Sequence, residues 1–162
     1  MEVRFRPIGF VRTSFSDEMI KESWPRGVKA EIKIFDEYVD ALEGLEGFSH
    51  IIVIYFLHKV TEEQKKTLKA KPRRMVKYGL SLEELPLVGV FCLDSPHRPN
   101  PIGLTIVKLI EKRDNVLEVD ELDAYDGTPV LDIKPYTPDR CKTNLQLPEW
   151  YKLILEKLKT KP

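Results

Sequence analysis

The sequence predicts a mainly β domain, folded as a small barrel or a sandwich with few helices. Short apolar segments recur along the chain, and Gly, Pro and Asp residues separate them. Helical periodicity is confined to a few stretches, which also favours a mainly β architecture. The seven strand candidates are residues 3–11, 28–34, 48–57, 87–93, 104–110, 116–122 and 130–133.

These strand candidates differ in how their side chains are expected to be buried. Residues 3–11 alternate imperfectly between apolar and polar side chains, whereas residues 28–34 alternate strictly. Strict alternation is typical of a strand with one buried and one solvated face. Residues 48–57 and 87–93 are continuous apolar runs, which predicts strands that are buried on both sides.

Three stretches are predicted to be helical. Residues 36–45 carry apolar side chains on one side, and Gly44 and Gly47 favour a C-terminal stop. Thr61 opens a second, charged helix with the arrangement of a cap. Residues 148–159 form an amphipathic C-terminal helix. The sequence contains no internal repeat and no linker-like segment, so one domain is expected.

Composition excludes several classes of protein. The 162 residues include 26 Lys+Arg and 26 Asp+Glu, and 42% are apolar. Such a chain can bury a core, and it is neither disordered nor a polycation that holds nucleic acid by bulk charge. The longest apolar run, residues 51–57, is far shorter than the roughly 20 residues of a membrane span. The N-terminus does not resemble a signal peptide. We therefore expect a cytoplasmic protein with no membrane partner.

Cysteine and histidine usage argues against a metal site. Cys92 and Cys141 lie far apart without a C-x-x-C pair, which excludes a disulfide framework and a structural zinc site on count. We predict no bound metal. His50 is interpreted as a structural residue at a strand entry. His58, at a strand exit, and His97, in a proline-rich loop, could each be structural or contact a ligand.

Charge is distributed unevenly although it sums to zero. Residues 65–77 (KKTLKAKPRRMVK) hold seven Lys or Arg and no acid, whereas residues 36–46 hold five acids and residues 114–126 hold six, with no base in either. A solvated face best explains the acidic stretches. The basic stretch contains a proline and little apolar periodicity, so it is either a solvated loop or a loop aimed at a polyanion.

The segment CLDSPHRPNPIG, residues 92–103, is a candidate binding loop. Three prolines within six residues exclude a helix or a central strand. Polar groups on such a stiff loop lose little entropy when a ligand binds. A rigid connection between strands would explain the prolines, but it does not require His97 and Arg98 between them. A Ser-His-Asp triad that includes Ser95 can be drawn, although most proteins would allow one.

The segment DAYDGTPVLDIKPY, residues 123–136, is the second candidate. Asp126 and the glycine after it predict a turn, and the Thr-Pro that follows predicts an extended exit. A plain hairpin tip would need no function. However, Asp132 alternates with apolar residues inside a predicted strand, and Lys134 on the same face suggests a paired site.

These two segments carry a resemblance to a known family. SPHRPNPIG and LDAYDGTPVLDIKPY resemble the TsaA-like, or TrmO, family of S-adenosylmethionine-dependent tRNA methyltransferases, and so do IGFVRTSF, IFDEYVDALEGLEGFSHIIVIYFLH and VGVF earlier in the chain. The resemblance implies a closed β-barrel of about seven strands over residues 1–140. Residues 141–162 lie outside the resemblance, and we expect them to form a C-terminal helical extension packed on the same domain. It also implies a homodimer that methylates the exocyclic nitrogen of N(6)-threonylcarbamoyladenosine, at adenosine 37 next to the tRNA anticodon.

The resemblance further implies a binding site for S-adenosylmethionine. The matching positions are Pro25, Arg26, Gly27, His58, Lys59, Asp94, Leu104, Asp126, Gly127, Thr128 and Pro129. Two of them depart from the family pattern. Gly27 stands where Gln is usual, which removes a side-chain amide, and Asp94 stands where Arg is common, which reverses a charge.

Catalytic and substrate-binding roles are assigned by chemical requirement. Methyl transfer needs two positioned reactants, and a hydrogen-bond acceptor would help a carbamoylated amine to react. Asp126 and Asp132 are candidate acceptors, and Asn100 could orient the base. Arg98 could clamp a phosphate or a carboxylate. The candidate tRNA contacts are His97, Arg98, Lys71, Arg73 and Arg74.

Two other functions remain open at this point. The departures at Gly27 and Asp94 are consistent with a non-catalytic S-adenosylmethionine-binding sensor, or a tRNA-binding module, of the same fold. A small hydrolase that uses Ser95 and a histidine is the third alternative.

Overall fold

A computed structural model describes residues 2–160, with the backbone alone at Thr160. The strands are β1 (Gly9–Arg12), β2 (Val28–Ile34), β3 (His50–Phe56), β4 (Lys69–Ala70), β5 (Val88–Gly89), β6 (Ile102–Arg113), β7 (Val116–Leu122) and β8 (Pro129–Pro135). The α-helices are α1 (Asp17–Ser23), α2 (Glu62–Lys65) and α3 (Glu149–Thr160). Short 3₁₀ helices cover Asp36–Leu42, Arg73–Tyr78, Val90–Cys92 and Pro138–Arg140.

The chain divides into two compact units. The barrel unit contains residues 2–59 and 101–140, and the second unit contains residues 60–100 and 141–160. The expected organisation, a barrel domain over residues 1–140 with residues 141–162 as a helical extension packed on it, stays a prediction.

Six strands of the barrel unit close into a barrel in the order β1-β2-β7-β6-β3-β8. Every neighbouring pair is antiparallel, and pairing of β1 with β8 completes the ring. The C-terminal ends of β1, β3 and β7 therefore meet the N-terminal ends of β2, β6 and β8 at one end of the barrel, which we call the mouth. The predicted class, a small closed β-barrel with a few short helices, is confirmed.

Alternating side chains from the six strands fill the barrel. In β2 the predicted alternation is observed, because Ile32 and Ile34 are buried while Lys29 is exposed. The fully buried core side chains include Val11, Ile32, Ile51, Val53, Val107, Leu117, Val119, Leu122 and Val130. Burial of these apolar groups is the main force that holds the register of the ring.

Strand prediction was more accurate in the barrel than outside it. The bounds of β2 and β7 are those predicted. The predicted strand at residues 3–11 begins only at Gly9. The continuous apolar run at residues 87–93 is not a buried strand, because only Val88–Gly89 pair and the chain then enters a 3₁₀ turn. Phe91 in this run is 79% exposed.

The three predicted helices are found at the expected positions, but one of them is a 3₁₀ helix and not an α-helix. Residues 36–45 contain a 3₁₀ helix rather than an α-helix. Thr61 caps α2 as predicted, with a capping box that includes Gln64. The C-terminal helix α3 is also confirmed. Helix α1 was not predicted, because only Ile20 in its seven residues is buried and no apolar periodicity marks it.

The second unit has a small core and little sheet. Strands β4 and β5 form a two-residue pairing. Ile154 of α3 packs with Leu80 and Leu85 to form a buried cluster. Across residues 2–160, no helix is both long enough and apolar enough to span a lipid bilayer.

Candidate functional site

The barrel mouth collects most of the residues that the family resemblance assigns to the cofactor. They come from four separate parts of the sequence and meet because the strands alternate in direction. Pro25, Arg26 and Gly27 precede β2, His58 and Lys59 follow β3, Leu104 is the third residue of β6, and Asp126, Gly127 and Thr128 lead to Pro129 at the start of β8.

The turn that precedes β8 is clamped onto the end of β1. An Asp126 Oδ1 atom accepts a hydrogen bond from the backbone N–H of Thr13 at 2.9 Å. The N–H of Gly127 donates to the carbonyl of Val11 at 2.9 Å, and the N–H of Val11 donates to the carbonyl of Thr128 at 2.9 Å. Gly127 has φ of +73°, which suits a residue without a side chain. The turn is thus held at three consecutive residues.

His58 adjoins this turn. Its Nδ1 atom lies 3.3 Å from the hydroxyl of Thr128, which is 2% exposed. Burial lowers the pKa of His58 below its usual 6.5, the positive charge of Lys59 lowers it further, and Asp17 opposes the shift. The neutral imidazole therefore predominates at pH 7.

A second cluster of charges surrounds Tyr125. The ammonium group of Lys59 forms an ion pair with Asp17 at 2.5 Å and lies 4.7 Å from the centre of the Tyr125 ring. The ammonium group of Lys21 lies 5.8 Å from the same ring. These are cation–π distances. Sequence reasoning missed Asp17 and Lys21, because α1 carries no motif that distinguishes them from a solvated helix.

A hydroxyl–carboxylate network lies inside the mouth. The hydroxyl of Tyr55 donates to Asp123 Oδ1 at 2.9 Å, and the hydroxyl of Thr105 donates to the same oxygen at 2.6 Å. Tyr55 is 3% exposed and lies across Gly103, whose hydrogen leaves room for the ring. The network anchors the residue from which the loop toward β8 begins. Sequence reasoning missed it because its members are 50 and 68 residues apart.

An open groove of about 580 Å³ begins at Asp126. It is lined by residues 12–15 and 29–31, together with Glu118 and Asp126. Asp126 is the only one of the predicted cofactor residues that lines it.

Gly27 has a structural reason to be glycine. It has φ of +71°, and a Cβ atom there would lie 2.4 Å from the carbonyl carbon of Glu121. The position therefore has no room for the glutamine side chain that the resemblance led us to expect there. Glu121 itself has φ of +71°, beside an irregularity in the β2–β7 pairing.

Asp132 does not share a face with the barrel core. It lies opposite Ile54 on β3, and the register shifts between that pair and the Tyr55–Val130 pair. The shift turns Ile133 toward the core, so Asp132 is on the outer wall. Its carboxylate forms an ion pair with Lys134 at 2.6 Å, as the shared face had suggested. Leu104 is also outward, with 61% of its surface exposed.

The remaining candidates lie in the second unit. An Arg98 Nη1 atom donates to the carbonyls of Leu93 at 3.2 Å and Ser95 at 3.5 Å, so the guanidinium stabilises its own loop. Lys71 donates to the carbonyl of Leu82 at 2.7 Å. Asp94, Asn100, Arg73 and Arg74 are exposed, and His97 is half-buried. Within residues 2–160, no three His, Cys, Asp or Glu side chains are grouped as metal ligands.

Comparison with known proteins identifies the family. The sequence-family model described as tRNA-methyltransferase O N-terminal domain matches residues 13–140 of this chain. The chain belongs to this family. It is 43% identical over 141 residues to a probable S-adenosyl-L-methionine-binding protein of Methanothermobacter thermautotrophicus, with 86% of this chain and 93% of the relative covered.

Longer members of the family have related sequences and folds. The tRNA (adenine(37)-N6)-methyltransferase of Escherichia coli is 35% identical over 144 residues, which cover 83% of this chain and 58% of that protein. A crystal structure of TrmO superposes with a TM-score of 0.67 at 30% identity, covering 92% of this chain and 64% of the other. The chain thus spans about six-tenths of these two proteins.

Proposed function

We propose that the protein is an S-adenosylmethionine-dependent tRNA methyltransferase that methylates the N6 nitrogen of threonylcarbamoyladenosine at adenosine 37, next to the anticodon. One observation carries this proposal. Residues that the family resemblance assigns to the cofactor, from segments far apart in sequence, meet at one mouth of the barrel. The name of the Escherichia coli relative supports the reaction, and the name of the Methanothermobacter relative supports the cofactor.

The chemistry of the mouth fits S-adenosylmethionine, which is cationic at sulfur. Asp126 supplies an exposed carboxylate at the mouth, which attracts a positively charged group. Gly127 leaves the backbone of the turn open, since nothing lies within 4 Å of the position of an added Cβ atom. The cofactor, when bound, supplies an electrophilic methyl group. The residues of the barrel unit that would hold it are Pro25, Arg26, Gly27, His58, Lys59, Leu104, Asp126, Gly127, Thr128 and Pro129, and the role expected for Asp94 stays a prediction.

Asp126 is the best candidate acceptor for the N6 proton of the substrate. Its carboxylate is exposed at the mouth and fixed by the Thr13 N–H, so one oxygen is oriented before a substrate binds. Asp132 is a weaker candidate, because its carboxylate is paired with Lys134 on the outer wall. Asn100 would orient the base.

The tRNA would be bound partly by the second unit. His97, Arg98, Lys71, Arg73 and Arg74 are the proposed contacts, and the exposed arginines provide the charge that phosphates require. Homodimerisation and a cytoplasmic location, where tRNA is available, belong to the same proposal.

Transfer of a labelled methyl group tests the proposal. The purified protein is incubated with labelled S-adenosylmethionine and with tRNA that either carries or lacks the threonylcarbamoyl group. We expect label only in the modified tRNA, and we expect Asp126→Asn and Asn100→Ala to lower kcat at least tenfold while calorimetry still detects the cofactor. If neither tRNA becomes labelled, the result contradicts the proposal.

A non-catalytic S-adenosylmethionine-binding sensor is the second candidate. One observation favours it: the Methanothermobacter relative has nearly the length of this chain and is named only for binding the cofactor, whereas the chain covers 58% of the named methyltransferase. Binding of the cofactor by calorimetry without any transfer would favour this function.

A further inference from the structure

The groove that begins at Asp126 is distinct from most of the predicted cofactor residues. Among those residues, Asp126 alone lines it. A volume of about 580 Å³ lies within the roughly 300–1,000 Å³ range of small-molecule pockets. A methyltransferase must bring two reactants to one point, so a second site should share a wall with the cofactor site. Asp126 lines the groove and is also a predicted cofactor residue, so the two sites would share this side chain.

The segment that forms one side of the groove is locked in place. The Thr13 hydroxyl donates to the carbonyl of Lys29 at 3.3 Å and accepts from the N–H of Phe15 at 3.3 Å. The Thr13 N–H donates to Asp126. These bonds fix the backbone at Phe15, whose half-buried side chain lines the groove. An aromatic side chain on a fixed backbone is a suitable stacking platform for a base.

The charges in the groove match one nucleoside better than a run of phosphates. Arg12 and Lys29 are cationic, and Arg12 lies 3.9 Å from Glu31 in a loose ion pair. Glu118 is bound by Arg113 at 2.9 Å. Carboxylates beside an aromatic ring can accept hydrogen bonds from the edge of a base, while a partly paired arginine can bind one phosphate or carboxylate.

We propose that this groove binds the target nucleoside of the RNA substrate, with its base stacked on Phe15 and an adjoining anionic group held by Arg12. This inference rests on the proposed function and deepens it by naming the substrate subsite. Bases of single-stranded RNA loops are commonly splayed out and stacked on aromatic side chains. An open groove accommodates a base that is still attached to its chain.

Binding of an anticodon-arm RNA hairpin tests the subsite. The hairpin carries the fluorescent adenine analogue 2-aminopurine at the target position, and titration follows both affinity and fluorescence. We expect Phe15→Ala to weaken hairpin binding about fivefold or more and to remove most of the fluorescence change. Phe15→Tyr, which keeps the ring, should restore both. Phe35→Ala is the matched control, because Phe35 is an exposed aromatic residue of the same unit that does not line the groove.

A second variant tests the subsite even if Phe15→Ala fails to fold. Ser14 is exposed and lines the groove, so Ser14→Trp fills the groove without opening a cavity. It should reduce hairpin affinity as Phe15→Ala does, while the calorimetric Kd for S-adenosylmethionine stays within about threefold in every variant. Unchanged hairpin affinity and fluorescence in both groove variants would overturn the proposal.

Failure of the proposed function is distinguishable from failure of the subsite. If the wild-type protein transfers no methyl group but Phe15→Ala abolishes the fluorescence change, the subsite stands and the methyltransferase assignment is wrong. If the wild-type protein transfers methyl groups and Phe15→Ala leaves the KM for tRNA unchanged, the subsite is wrong.

Discussion

The two units of the chain hold their candidate functional residues in different ways. In the barrel unit the partners are far apart in sequence: Thr13 and Asp126 are separated by 113 residues, and Tyr55 and Asp123 by 68. In the second unit the candidate residues are held by near neighbours. Arg98 bonds to carbonyls three and five residues away, and Lys71 bonds to one 11 residues away.

This difference indicates which unit sets the geometry of a reaction. The closed ring of strands fixes the mouth residues through the register of the whole barrel, so their positions resist local change. In the second unit the core is small, the proline-rich loop has bonds within itself, and the basic stretch is bonded to Leu82 and paired with β5. Under the proposed function, the barrel would hold the cofactor and the second unit would contact the tRNA.

Truncation of a core side chain should give the largest difference in stability loss between the two units. Leu117 is fully buried in the barrel and Leu85 is 2% exposed in the small cluster. We expect Leu117→Ala to lower the free energy of unfolding by about 4 kcal/mol and Leu85→Ala by about 2 kcal/mol, because the smaller cluster can collapse around the missing side chain. Chemical denaturation measures both, and equal losses would break the comparison.

Alanine substitutions of two glycines at the mouth should give the next largest difference. Gly27 and Gly127 have nearly the same φ, but an added Cβ atom meets the Glu121 backbone only at Gly27. Gly127→Ala should cost about 1 kcal/mol for the left-handed backbone alone. Gly27→Ala should cost clearly more, since β2 and β7 must also separate. Thermal unfolding of the two variants checks the order, and a larger loss for Gly127→Ala would contradict it.

Removal of one long-range hydrogen bond should have a smaller effect. Tyr55→Phe deletes the hydroxyl that donates to Asp123 and should cost about 1 kcal/mol. Lys71→Met deletes a local, exposed bond in the second unit and should change stability by no more than about 0.5 kcal/mol. Urea midpoints of both variants provide the measurement. If Lys71→Met costs as much as Tyr55→Phe, sequence separation does not distinguish the two kinds of bond.

The smallest expected effect is a pH dependence at His58. Burial and Lys59 lower its pKa in the folded protein, so the unfolded chain binds a proton more readily as the pH falls below 6.5. Stability should therefore decrease from pH 7 toward pH 5 more steeply in the wild-type protein than in His58→Gln. Thermal melts across that range check the sign, and a steeper decrease in the variant would show that the pKa is not lowered.

Sequence reasoning succeeded where the deciding interactions join neighbouring residues, and it failed where they join residues far apart in the sequence. The strict alternation of residues 28–34 predicted β2 to the residue, and the Thr61 cap predicted the start of α2, because both patterns are local. The run at residues 87–93 misled because apolar content alone does not reveal that Leu87 and Phe91 remain exposed. The outward position of Asp132 depended on a register shift against β3 that no local pattern marks.

The sequence by itself determined the class of fold, the stiff and turn-forming segments, and the family, because periodicity, proline content and motif order are properties of neighbouring residues. Only the tertiary structure decided that four separated segments share one mouth, that Tyr55, Thr105 and Asp123 meet inside it, and that Gly27 cannot carry a side chain. These features arise from barrel closure and register, which depend on the packing of all six strands together.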